Sequence, residues 1–316
     1  MNKRTLTMIL IVIALLTMAQ ECENGGEGGS SNTNKVDPFI GGTRGLSIQF
    51  AEEAPPAAVF DSNTDPFDIE LVIQNVGEAE VLRDNVKIFV EGLNPNDFNK
   101  QETDFIRDGI AEDIEPTYKD FDGNILESPD VYITFPNLVF KAPIIGNNEY
   151  PIMASVCYNY KTESIADGCI RKNPRETDEG VCIVNEEKPV FNSGAPIQVS
   201  NFVEQPSGKS TVKYLFTITH PGSGTLYAPL SKCDSSSEYE NVIKYKIESS
   251  VADLVCSGAD DTGKQGSFKL RPGQEYVLRC TQQKESALDF IDSVYLELEY
   301  DYKESILKNI LIKQNI

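Results

Sequence analysis

The residues able to do chemistry are few and widely spaced. His220 is the single histidine of the chain, so a Ser-His-Asp or Cys-His relay would have to run through it. It sits at a strand-to-turn junction, Thr217-Ile-Thr-His-Pro-Gly222, where a structural role is the expectation. Pro206-Ser-Gly-Lys-Ser210 ends like a phosphate loop but lacks the leading glycine, and reads as a solvent turn. Asp120-Phe-Asp-Gly-Asn124 puts Asp120, Asp122 and Asn124 at alternate positions around a glycine, as a calcium loop begins. The remaining ligand spacing and the distal glutamate are missing, so an ordinary acidic turn is expected, with no metal or other cofactor assigned.

Cysteines carry the other chemistry. Beyond Cys22 there are Cys157, Cys169, Cys182, Cys233, Cys256 and Cys280, an even set that in an exported chain reads as disulfides. None forms a Cys-x-x-Cys pair, so a zinc site is not expected. Three lie on each side of residue 190, so either one bridge joins the two halves or each half keeps a free thiol. A hairpin centred near residue 163 would set Cys157 opposite Cys169. Cys256 with Cys280 would close a short loop, and Cys182 with Cys233 remains by elimination.

The chain carries 28 Lys and Arg against 49 Asp and Glu, a net charge of −21, which disfavours nucleic acid and anionic lipid as partners. Hydrophobic content of 40% is that of a folded protein, and it confines disorder to local stretches. Tryptophan is absent, which weighs against sugar binding by indole stacking.

Lys3 and Arg4 precede an uncharged apolar run over residues 6–19, the pattern of a secretory signal. The run is short of the roughly 20 residues that a membrane helix needs; cleavage, lipid anchoring and a retained anchor stay open over residues 1–21. Cys22 and the Gly/Ser-rich residues after it resemble the start of a lipoprotein, although Glu21 stands where a small residue belongs. Residues 22–44 read as a flexible linker.

The elements that must position all this are strands. Leu46-Ser-Ile-Gln-Phe50, Phe67 to Gln74, Val86 to Val90, Val131 to Phe135 and Ile152 to Tyr160 alternate apolar and polar residues, the period of a half-buried strand. Asn75 and Gly77 are read as a turn that tolerates positive φ. Residues 94–130 break the alternation and form an inserted loop, where binding function concentrates; Phe98, Phe105, Tyr118 and Phe121 are its candidate contact residues. Residues 173–190 read as a linker. From Ala195 the order repeats: Tyr214 to Thr219 mirrors Ile69 to Gln74, and Tyr300-Asp-Tyr-Lys-Glu-Ser-Ile306 mirrors Tyr158-Asn-Tyr-Lys-Thr-Glu-Ser-Ile165. The expected fold is all-β: two tandem immunoglobulin-like antiparallel β-sandwiches, residues 45–190 and 191–316, related by duplication.

The phrase of a strand, then Asn-x-Gly, then small residues and a β-branched restart resembles the CARDB-type and S-layer-associated immunoglobulin-like modules of archaeal and bacterial surface proteins. Cys157-Tyr-Asn-Tyr-Lys-Thr followed by Cys169-Ile is similar to a variant in archaeal exported proteins. The resemblance implies sandwiches and no catalytic residues; His220-Pro221 departs from its asparagine. The function expected is a non-enzymatic binding or spacer protein at the cell surface, with other envelope proteins or surface polymers as partners. It would bind no nucleic acid and touch the membrane through its N-terminus only. The second reading is a solute- or glycan-binding lipoprotein beside a transporter or surface enzyme, which a concave aromatic-lined pocket would favour.

Overall fold

Period-two alternation does what it dictates. In the strand Phe67–Asn75 the side chains of Phe67, Ile69, Leu71 and Ile73 are all buried, and in Thr211–Thr219 so are Val212, Tyr214, Phe216 and Ile218. Each such side chain removed from water contributes about 2 kcal/mol.

The computed structural model describes residues 37–61, 64–178, 180–250, 254–283 and 288–315; the expected signal segment and Cys22 lie outside them. The first half holds β1 (Leu46–Phe50), β2 (Ala58–Phe60), β3 (Phe67–Asn75), β4 (Val86–Glu91), β5 (Ile106–Asp108), β6 (Tyr118–Lys119), β7 (Ile125–Leu126), β8 (Val131–Leu138) and β9 (Asn147–Ile170). The second holds β10 (Glu186–Lys188), β11 (Val190–Asn192), β12 (Gln198–Pro206), β13 (Thr211–Thr219), β14 (Thr225–Tyr227), β15 (Val242–Ser249), β16 (Leu254–Cys256), β17 (Gln265–Lys269), β18 (Tyr276–Gln283) and β19 (Phe290–Lys313). No α-helix occurs among the described residues.

The fold is an all-β sandwich, antiparallel except where β2 pairs parallel with β19. Two small sheets, β1-β3-β8 and β10-β12-β13-β18-β16, face one large sheet, β17-β15-β19-β9-β4-β5, to which β2, β11 and β14 add. The buried side chains of β3, β12 and β13 share one core cluster with Tyr158, Tyr160, Leu296, Leu298 and Tyr300 of the large sheet. β9 and β19 pair along their whole length, from Asn147 opposite Lys313 to Ile170 opposite Phe290. Both halves of the chain therefore share a sheet.

The duplication is written in the ladders. Leu71 pairs with Ile133 and Phe216 with Leu278, so both partners are displaced by about 145 residues. Leu46 opposes Asn75, and β12 continues the matching register against β13 up to Thr219, next to His220. Across the join Tyr158 opposes Tyr302 and Tyr160 opposes Tyr300, and all four rings are fully buried.

Three readings of the sequence need correction here. Residues 147–170 form one strand, with no hairpin near 163. Cys157 and Cys169 thus lie about 40 Å apart along it and cannot bond, so the pairing of Cys182 with Cys233 falls too. The bridges are Cys157–Cys233, Cys169–Cys182 and Cys256–Cys280. Asp167 and Gly168, which read as turn residues, stay in the strand because Asp167 accepts a hydrogen bond from the Ser293 hydroxyl across the ladder. A side chain at Gly168 would press on Tyr214.

The second correction concerns Gly77 and its counterpart Gly222. Neither has positive φ. A Cβ at Gly77 would lie 2.1 Å from Tyr160 Oη and one at Gly222 2.3 Å from Tyr302 Oη, so glycine is required for close approach. The third concerns the linkers. In residues 37–44, read as flexible, the amides of Ile40 and Gly41 donate to Glu78, and in residues 173–190 the chain is tied to β9 by Cys182 and to β12 by β10.

Candidate binding hairpin

The four aromatic candidates of residues 94–130 separate into two pairs. Phe98 and Phe105 are buried. The Phe98 ring meets Phe67, Phe140 and Tyr150 edge to face, with centroids 6.1, 5.3 and 6.4 Å away, contacts that add to the energy of burial. These two residues pin the loop to the body. Tyr118 and Phe121 are exposed, at 53% and 111%, on a hairpin formed by β6 and β7.

The hairpin is built from its base upward. Thr117 donates its amide to Gly77 O and its hydroxyl to Asn75 O at 2.7 Å, while Gln74 Nε2 donates to Ser128 O. Its footing is thus the end of β3. On the flank, Lys119 Nζ donates to Phe39 O at 2.8 Å and Asp37 O at 3.3 Å, so the hairpin lies beside the segment by which the chain enters the fold. Glu78 holds that same segment, accepting from Ile40 N, Gly41 N and Gly194 N at 2.9, 2.9 and 2.6 Å. The chain therefore enters at the seam between the two copies.

At the tip, Asp120 closes its own turn. Its carboxylate accepts from Asp122 N, Asn124 N and Asn124 Nδ2 at 2.9, 2.8 and 3.0 Å. The Asn124 side chain first, and the backbone N–H groups after it, hold its pKa below the ordinary value. Among the described residues no three His, Cys, Asp or Glu side chains are grouped to hold a metal. The closed turn instead fixes Phe121 in water in advance of any contact, which lowers the entropy lost on binding. Ile125 and Leu126 on β7 are exposed as well; sequence reasoning missed them because apolar neighbours after a Gly-Asn turn look like the start of a core strand.

His220 holds in the second copy the position that Asn75 holds in the first. Its Nε2 lies 3.0 Å from Tyr302 Oη, as Asn75 Oδ1 lies 3.0 Å from Tyr160 Oη in the first copy. Burial lowers its pKa. The clamp residues Glu78 and Lys119 carried no sequence signal, since each is an ordinary charged residue next to a turn.

A trough of about 580 Å³ on the large sheet sets Lys244, Lys246, Asp260, Glu297 and Glu299 around Tyr245. Lys246 is already paired with Glu248 and Glu297 with Lys161. Three disulfides mark a chain that matures in an oxidising compartment. Among the described residues no helix is long and apolar enough to cross a membrane. No protein-family model matches the chain, and no curated protein matches it.

Proposed function

We propose that this is an exported, non-enzymatic protein of the cell envelope, held by its N-terminal segment. It acts as a rigid spacer that makes contact through residues 117–128. The observation that carries this reading is Phe121, fully exposed on a self-closed turn beside the chain entry. Export is supported by the signal-like residues 1–21 and by the three disulfides. Rigidity is supported by the shared sheet and by Cys157–Cys233, which ties the two copies together. Kinship with CARDB-type or S-layer-associated modules rests on the sequence phrases alone. The engagement of His220 with Tyr302 supports a structural role for the one histidine.

The test has two parts. Protein taken from cells and alkylated before reduction should show all six cysteines of the folded body unalkylated; six alkylated thiols would end the export reading. Chain lacking its first 36 residues, added back to native envelope, should bind saturably, and Phe121→Ser should weaken that binding several-fold. Equal binding by both would remove the hairpin from the proposal.

A further inference from the structure

The hairpin is too small to be a protein interface by itself. A stable interface engages roughly 20 residues a side, whereas the exposed apolar set here is Tyr118, Phe121, Ile125 and Leu126. A high net charge of −21 also opposes self-association through it. What lies within reach is set by where the hairpin sits. Lys119 binds the carbonyls of Asp37 and Phe39, and about 15 residues separate Cys22 from Asp37. That length spans at most roughly 50 Å when fully extended. A chain anchored at Cys22 therefore keeps Asp37, to which Lys119 of the hairpin is bonded, within about 50 Å of the membrane surface.

We propose that Tyr118, Phe121, Ile125 and Leu126 seat in the interfacial layer of the membrane that carries the N-terminal segment, giving the protein a second membrane contact. The proposal rests on the reading of the protein as membrane-held. Tyrosine suits the headgroup level, with phenylalanine and aliphatic side chains below it. Asp120, Asp122 and Glu127 accompany the tip, while the ammonium of Lys119 is turned back to the chain entry. An uncharged or zwitterionic surface therefore fits, and an anionic one repels.

The absence of tryptophan makes a clean test. Phe121→Trp introduces the sole indole, and Leu307→Trp, at an exposed position on β19, is the control. The full chain is reconstituted in phosphatidylcholine vesicles, with and without bromine on the acyl chains, and checked for flotation. Its disulfides are verified by the mass shift on reduction. Expected are a blue-shifted emission and bromine quenching for Phe121→Trp, neither for Leu307→Trp, and a loss of both effects when anionic phosphatidylglycerol is mixed in. Chain that floats with a water-exposed indole at position 121 overturns the hairpin contact alone. Chain that does not float overturns the membrane-held reading and the contact with it. A blue shift without bromine quenching reports a contact between copies and overturns the lipid assignment.

Discussion

Asn159 and Asp301 face each other in the β9–β19 ladder, Nδ2 to Oδ1 3.1 Å apart, at the point about which the two copies exchange. On either side Tyr158 meets Tyr302 and Tyr160 meets Tyr300. The chemistry of the central pair is unequal. Where the first copy has an amide, the second has a buried carboxylate that also accepts from Leu230 N at 2.8 Å, Lys232 N at 2.7 Å and Ser231 Oγ at 3.3 Å. Leu230, Lys232 and Cys233 all adopt positive φ, so the carboxylate holds a strained loop that leads into the Cys157–Cys233 bridge.

Asp301→Ala should therefore destabilise the protein by about 3 kcal/mol, because two part-buried amides and the Ser231 hydroxyl lose a charged acceptor. Asn159→Ala removes the Nδ2 bonds to Asp301 Oδ1 and, at 3.4 Å, to Tyr300 O, and should cost about 1 kcal/mol. Denaturant unfolding of both variants measures the difference; equal losses would show that the carboxylate does not organise the loop.

Exchange of the copies' own residues tests the equivalence of the two turns. His220→Asn should be tolerated within about 1 kcal/mol, the worth of one hydrogen bond, because Asn75 makes the matching contact with Tyr160. Tyr302→Phe should cost more, since it strands Gly224 N, which donates to Tyr302 Oη at 2.6 Å. The opposite order in thermal unfolding would break the equivalence.

The glycines give a sharper contrast. Gly77→Ala and Gly222→Ala drive a methyl group into a buried tyrosine hydroxyl, an overpacking that should cost about 3 kcal/mol. Gly123→Ala meets nothing within 4 Å, and only its φ of +86° opposes it, at about 1 kcal/mol. Expression and melting of the three should separate them; a Gly77→Ala chain as stable as Gly123→Ala would mean that the tyrosine hydroxyl and the carbonyls of Gly194 and Arg44 around it yield.

Much of this could be read in the residues. Alternation located β1 to its ends and placed β3, β4 and β13, because half-buried strands leave their period in the chain. The repeat of Tyr-x-Tyr revealed the duplication but not that the two phrases pair with each other, since a ladder between distant segments leaves no local mark. Asp167-Gly168 reads as a turn by every local rule, and only the partner strand β19 overrides it. The same limit hid the bridges: cysteine pairing follows spatial neighbours, and the neighbours depended on whether residues 147–170 turn or run straight. For the loop, aromatic content alone could not separate Phe98, which packs on Phe67 and Phe140, from Phe121, which packs on nothing.

Stability should be greater at pH 5 than at pH 7.5. Burial pushes the Glu204 and Glu304 carboxyls from 4.5 up to about 7, against the opposing pull of Lys188 and Arg44. Between those values the folded state keeps protons that the unfolded chain has released, so stability falls as pH rises through 7. His220, lowered by burial, acts in the opposite sense, weakening the fold as pH drops below 6.5. Asp61, Asp120 and Asp234 are lowered by hydrogen bonds, so their contribution is lost only below about pH 4. Glu304→Gln should shrink the difference and His220→Asn should widen it. A stability that rises steadily to pH 7.5 in chemical unfolding would contradict the assignment.

The bridges rank by the chain they close. Cys157–Cys233 spans 76 residues and Cys169–Cys182 spans 13, so loop-closure entropy assigns about 4 kcal/mol to the first and about 3 kcal/mol to the second. The first has a further consequence, because it runs from the shared strand β9 into the loop that Asp301 holds. Replacing Cys157 and Cys233 together by serine should lower the melting temperature more than replacing Cys169 and Cys182. It should also loosen residues 228–241 selectively, which faster amide exchange there would register. Peptide mapping without reduction should recover Cys157 linked to Cys233. A Cys157–Cys169 peptide would require residues 147–170 to turn back on themselves, and with that the ladder of β9 against β19 could not stand.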